Sequence, residues 1–130
     1  MNAAVQTADG VYTVDLDEEE VIGFEEGTSL QPAAALELVL PSVVAAAAAG
    51  STIAAVTGRR PPLLMSYDAG RTWRESGGGL PAGRAVAVAE DDPDVIVFAA
   101  RNRLYLSRDG GRFWHALLPE LPEILRVELR

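Results

Sequence analysis

The chain of 130 residues contains no cysteine and no lysine, and it has a single histidine. Without cysteine it has neither a disulfide framework nor a thiolate metal site. His115 has no second histidine or cysteine with which to bind zinc, and no Gly-x-Ser-x-Gly elbow to serve, so we expect an ordinary surface histidine. These absences predict a protein without a metal site or cofactor.

Long apolar runs are missing as well, although the chain is 48% hydrophobic, which is enough for the core of a single domain over residues 1–130. No run is long enough to span a bilayer, and the N-terminus has no basic and apolar leader, which favours a cytoplasmic location. The formal net charge of −8 predicts a surface that repels nucleic acids and anionic membranes.

One stretch of eight residues occurs twice, at 66–73 and again 41 residues later at 107–114. Both copies read Ser-x-Asp-x-Gly-x-(Thr/Phe)-Trp. In such a string Ser ends a strand, Asp accepts hydrogen bonds from the turn, Gly permits a positive φ and Trp packs over the turn at the start of the return strand. The shared positions are Ser66, Asp68, Gly70, Trp73, Ser107, Asp109, Gly111 and Trp114.

The string resembles the Asp box, or bacterial neuraminidase repeat, of the β-propellers of sialidases, sortilin-type receptors and a photosystem II assembly factor. The resemblance implies an all-β fold of four-stranded blades, with the boxes in a structural role. A sugar or carboxylate site at the boxes is the less favoured interpretation, since local side-chain to backbone bonding explains every position.

Repeats of about 40 residues predict three blades. Blade two covers 41–80, with strands at about 43–48, 52–57, 62–66 and 72–77. Blade three covers 81–121, with strands at about 84–89, 94–100, 103–107 and 112–117. Recurrent Leu-Pro pairs at 40–41, 80–81 and 121–122 mark the same period.

Blade one is predicted from residues 10–40 together with a C-terminal strand at 124–129 that supplies its innermost strand. Residues 11–14, 20–24 and 34–39 are its other strands, and a degenerate box lies at 23–30. Because three blades are too few for a ring, we expect a homodimer that closes six blades by exchanging the C-terminal strands. An arc of a larger heteromeric or multidomain propeller is the alternative.

Charged connections between second and third strands share a face with the loops between blades, where propellers usually hold ligands, and they are either a binding face for a charged protein surface or simply solvated loops. The Asp91-Asp92-Pro93-Asp94 run fits a turn better than a calcium loop. No residue matches the catalytic tyrosine motif of sialidases, so we expect a non-catalytic module that binds another protein or scaffolds an assembly. A glycan-binding lectin or degenerate sialidase-like glycosidase is the alternative. The predicted binding residues are Glu18, Glu19, Arg59, Arg60, Arg101, Asn102 and Arg103.

Overall fold

The computed structural model describes residues 1–32 and 36–130, and in these ranges the chain forms twelve β-strands. Short runs rich in Val, Ile, Leu and Ala, separated by Gly, Pro and Asp, favour strands of this length. Within the described ranges, no helix is long and apolar enough to cross a membrane. The strands are β1 Asn2–Thr7, β2 Gly10–Asp15, β3 Glu20–Glu26, β4 Val43–Ala49, β5 Thr52–Thr57, β6 Leu63–Ser66, β7 Arg74–Ser76, β8 Ala85–Val88, β9 Ile96–Ala99, β10 Arg103–Ser107, β11 His115–Glu120 and β12 Ile124–Leu129.

The strands form three four-stranded antiparallel sheets, which confirms the predicted blade architecture. Blade two is β4-β5-β6-β7 and blade three is β8-β9-β10-β11. Blade one has the order β12-β1-β2-β3, so the C-terminal strand completes the N-terminal sheet as predicted. In each blade the strand named first, β12, β4 or β8, is the innermost.

The assignment of strands within blade one was wrong by one position. Asn2–Thr7 forms the second strand, so Gly10–Asp15 is the third and Glu20–Glu26 the fourth. The predicted strand at 34–39 falls partly outside the described residues, and residues 36–39 form no strand. The degenerate box at 23–30 is also wrong, because Gly23 to Glu26 continue the outermost strand. The strands of blade one therefore lie within 2–26 and 124–129.

The C-terminal strand pairs with the N-terminus of its own chain, so blade one is complete without the predicted exchange of strands between two chains. Val5 lies opposite Val127 in the register, and Asn2 and Arg130 exchange two backbone hydrogen bonds of 3.0 and 2.8 Å. The physical reason is the spatial order of the blades. Blade three lies between blades two and one, so its last strand, β11, leads directly to β12, which pairs with β1.

Two hydrophobic cores hold this arc of three blades together. The core between blades two and three contains Val56, Leu63, Met65 and Phe98. The core between blades three and one is composed of Val5, Val14, Ala85, Ala89, Val97, Leu104, Leu117 and Ile124, among others. Small side chains on β8 suit a strand that must pack between two neighbours, and Phe98 fills the space beside them at 0% exposure.

Candidate functional site

The first repeated turn is held by its own side chains. Ser66 ends β6, and its hydroxyl donates to Asp68 Oδ1 at 2.9 Å while accepting from the Gly70 amide at 2.8 Å. Asp68 also accepts from the Thr72 amide at 2.9 Å and from the Thr72 hydroxyl at 2.6 Å. Gly70 has φ +91°, a conformation that L side chains rarely adopt. The serine, aspartate and glycine of the repeated string therefore each have a local bonding partner in this turn.

The second turn repeats this network with one difference. The Ser107 hydroxyl donates to Asp109 at 2.8 Å and accepts from the Gly111 amide at 2.9 Å, and Asp109 accepts from the Phe113 amide at 3.0 Å. Phe113 replaces the threonine, so Asp109 lacks the second hydroxyl donor that Asp68 has in Thr72. The tryptophan was predicted to start the return strand in both turns. The return strands begin one residue later, at Arg74 and at His115.

Hydrogen bonding keeps both aspartates ionised. The Thr72 hydroxyl, followed by the Thr72 amide, lowers the pKa of Asp68 from 3.8 to about 2. The Phe113 amide and then the Ser107 hydroxyl lower the pKa of Asp109. A carboxylate held in this way is a poor proton donor near neutral pH, which fits a structural role better than acid catalysis.

The turns also connect blades. The Tyr67 hydroxyl donates to the Gly110 carbonyl and the Ser76 hydroxyl donates to the Gly111 carbonyl. On the other side of blade three, Arg108 lies 2.7 Å from Asp17 of blade one. The face that carries the repeated turns is thus occupied by bonds between neighbouring blades.

Glu18 and Glu19 lie on this turn face, not on the predicted ligand face. They belong to the connection between β2 and β3, the third and fourth strands of blade one. Glu19 is 3.3 Å from His115 Nε2 and accepts from the Leu118 amide at 3.1 Å. At the start of this connection Asp15, the last residue of β2, accepts hydrogen bonds from the amides of Glu18 and Asp17, and these bonds, that of Glu18 first, lower its pKa.

The other five predicted binding residues do share one face. Arg59 and Arg60 lie between β5 and β6, and Arg101 and Asn102 lie between β9 and β10, with Arg103 at the start of β10. Sequence reasoning missed Arg84, which ends the connection from β7 to β8 on the same side. Its position in a loop between blades was the signal that could have identified it. We call Arg59, Arg60, Arg84, Arg101, Asn102 and Arg103 the arginine face.

Two adjoining cavities lie on the arginine face and share Ala82. One of about 340 Å³ is lined by Arg59, Arg60 and Arg84. The other, of about 390 Å³, is lined by Arg101, Asn102 and Arg103, with Tyr105 and Glu120 on its wall. Together they form a shallow arginine-lined depression at the junction of blades two and three.

Carboxylates only partly neutralise these arginines. Glu123 lies 3.1 Å from Arg84 and 3.8 Å from Arg101, and Glu120 lies 3.0 Å from Arg103. In the part of the chain that the structure describes, Arg59 and Arg60 form no ion pair. Exposed pairs of this kind contribute little stability and exchange readily with other anions.

No family model and no curated protein matches the chain. Among solved structures, one described as YCF48 bound to D1 peptide matches with a TM-score of 0.52 and 18% identity, over 95% of this chain and 42% of that one. A GH74 enzyme of Niastella koreensis matches with a TM-score of 0.50 and 17% identity, over 88% of this chain and 17% of that one. The chain therefore spans less than half the length of either structure. At this identity the likeness concerns the fold, which is that of β-propeller blades.

Proposed function

We propose that the chain is a non-catalytic propeller module that binds an acidic segment of another protein at the arginine face. The observation that carries this proposal is the concentration of five arginines around two adjoining cavities in a protein of net charge −8. Guanidinium groups bind carboxylates through paired N–H donors, so such a depression favours Asp- or Glu-rich ligands.

The distribution of charge between the two faces supports the same choice. The connections of blades two and three that carry Arg59, Arg60, Arg84 and Arg101 contain no carboxylate. On the opposite side, the single connection from β8 to β9 contains four carboxylates, Glu90, Asp91, Asp92 and Asp94. Such polarity orients an acidic partner towards one face during approach.

A non-catalytic role is supported by how the candidate acid–base groups are used. Asp68 and Asp109 are bonded within their turns, and His115 pairs with Glu19 at the outer strand of blade three. None of these groups lines the arginine face. Tyr105, on the wall of one cavity, is the feature that favours the lectin or glycosidase alternative, because sugars stack on aromatic rings.

A charge reversal tests the site. The variant Arg59→Glu/Arg101→Glu should lose binding of a fluorescent Asp-rich peptide by about thirtyfold or more, since each lost charged contact costs about 1 kcal/mol or more. The matched control is Arg71→Glu/Arg112→Glu on the turn face, where both arginines are exposed. Titrations by fluorescence anisotropy at several salt concentrations measure the effect.

Equal losses in both variants would mean that the acidic peptide responds to net charge and not to a site. Glycan-array binding of one sugar class, abolished by Tyr105→Ala and not by the arginine reversals, would favour the lectin alternative instead. Hydrolysis of a glycoside by the intact particle would contradict the non-catalytic assignment.

We also infer that two arcs associate into a six-bladed ring through blade packing alone. Alternation along the strands places Ala46, Ile53, Ala55 and Leu64 on the face of blade two that points away from blade three. This open flank corresponds to the face of blade three that is buried against blade two. It therefore fits a flank equivalent to the one that blade two presents to blade three.

Blade one carries the complementary open flank, on which Leu30 packs with Ala4 and Val11. Leu30 lies three residues after Gly27, which has φ +72°, and Leu80 lies three residues after Gly77, which has φ +76°. Leu80 belongs to the core between blades two and three. Leu30, and not Leu40, is therefore the counterpart of Leu80. Polar residues beside it, including Gln6, Thr13 and Arg126, suit the rim of an interface between separate chains.

Light scattering tests the ring. The chain should form a particle near twice 13.8 kDa, and Leu64→Glu on the open flank of blade two should convert it to monomer. Leu118→Glu is the matched control, because Leu118 is 76% exposed on β11 and lies on neither open flank. A well-folded monomer at micromolar concentration would rule out the ring, whereas a stable complex with a larger propeller chain would favour the heteromeric alternative.

A further inference from the structure

The outermost strands of the three blades differ in the edge that they offer to solvent. In blade two, β7 has three residues, and in blade three, β11 contains Pro119 and donates its Leu118 amide to Glu19. Short length, proline and a capping side chain all protect an edge from pairing with another strand. In blade one, β3 has seven residues without proline and pairs on one side with β2, with a single bulge at Ile22, while no described strand pairs with its other side.

The central part of β3 carries three apolar side chains that are partly exposed. Val21, Ile22 and Phe24 are 42%, 51% and 45% exposed. The Phe24 ring packs on Tyr12 with centroids 4.5 Å apart, which fixes its orientation on the sheet. Apolar side chains beside an open edge are the features that a bound strand uses for affinity and specificity.

Glutamates flank this apolar centre at both ends. Glu20 begins the strand and Glu25 and Glu26 end it, and all three are exposed. None of them forms an ion pair in the part of the chain that the structure describes. A second copy of β3 in antiparallel pairing would bring glutamates beside glutamates, which is unfavourable.

We propose that the free edge of β3 binds an extended segment of another protein, with an apolar centre and Arg or Lys at its ends, as an added strand. Backbone hydrogen bonds to β3 supply affinity, and the terminal glutamates select the basic ends of the segment. This surface is independent of the arginine face, which selects the opposite charge.

Three labelled peptides test the proposal by fluorescence anisotropy. The first alternates valine and threonine between terminal arginines, the second has terminal glutamates, and the third has the arginines with proline in place of threonine. Only the first should bind, because the second is repelled and the third lacks the backbone donors of a strand. Its binding should also slow the hydrogen exchange of β3 amides.

Charge reversal of the strand ends should invert the preference. In Glu20→Arg/Glu25→Arg/Glu26→Arg the arginine peptide should lose at least about tenfold in affinity, and the glutamate peptide should gain as much, since like charges across strands repel. Ile22→Lys, which keeps the glutamates, should also weaken the arginine peptide. Glu75→Arg/Glu90→Arg/Asp91→Arg, which reverses three exposed carboxylates outside β3, is the matched control and should change neither affinity.

Binding of the proline peptide as tightly as the first peptide would overturn the proposal, because it would show attraction by net charge alone. Unchanged affinity in both β3 variants would overturn it as well. If the chain alone forms a dimer that Ile22→Lys dissociates, the edge is occupied by a second copy and the proposed basic partner is wrong.

Discussion

Threonine and phenylalanine occupy the same place in the two repeated turns, and they hold the aspartate differently. Thr72 donates both its amide and its hydroxyl to Asp68, whereas Phe113 donates only its amide to Asp109 and leaves its ring 79% exposed. The second donor explains why the pKa of Asp68 falls to about 2. The side chain at this one position thus determines how strongly the stability of the turn depends on the ionisation of its aspartate.

This difference predicts the acid response of stability. Because the pKa of Asp68 is lowered by folding from 3.8 to about 2, its contribution is fully present above pH 3.8 and is lost as the pH falls towards 2. The fall in the free energy of unfolding over this range, followed by urea titration, should become shallower in Thr72→Val and stay unchanged in Thr72→Ser. Identical slopes in both variants would show that the hydroxyl has no such effect.

At the scale of elements, blades two and three were predictable because the repeated turn fixes where β6 and β10 end. Serine, aspartate and glycine at fixed offsets determine the hairpin, and the remaining strands follow from the period. The predicted ranges 52–57 and 103–107 coincide with β5 and β10.

Blade one was harder to predict because its turn has lost the motif. Asp15 serves as the turn acceptor, but no serine precedes it and no tryptophan follows the turn. The long connection from Gly27 to Ser42 also breaks the period, so Leu40-Pro41 resembled a repeat marker although Leu30 is the structural counterpart of Leu80. A six-residue strand at Asn2–Thr7 then remained unassigned.

The arginine face was only partly predictable for the same reason. Assigning connections to a face requires the order of strands within a blade. An error of one strand in blade one moved Glu18 and Glu19 to the wrong side, while the arginines of blades two and three were placed correctly together. The pairing of Arg84 and Arg101 with Glu123 depends on three-dimensional proximity that no spacing in the sequence indicates.

At the scale of the whole molecule, the two termini close the arc by pairing β1 with β12. This closure buries Val5 and Ile124 in the core shared with blade three, so the ends of the chain contribute to its stability as interior strands do.

A disulfide across this closure distinguishes pairing within a chain from pairing between chains. Val5 and Val127 are opposite in the register, and the chain has no other cysteine to interfere in Val5→Cys/Val127→Cys. After oxidation, a denaturing gel without reductant should show a single-chain band of increased mobility. Cross-linking strands that enclose most of the sequence should raise the free energy of unfolding by up to about 4–5 kcal/mol, because a long loop is closed in the unfolded state. Val5→Cys alone is the control, and it should show neither change. A covalent dimer of twice 13.8 kDa would instead show that β12 pairs with β1 of a second chain.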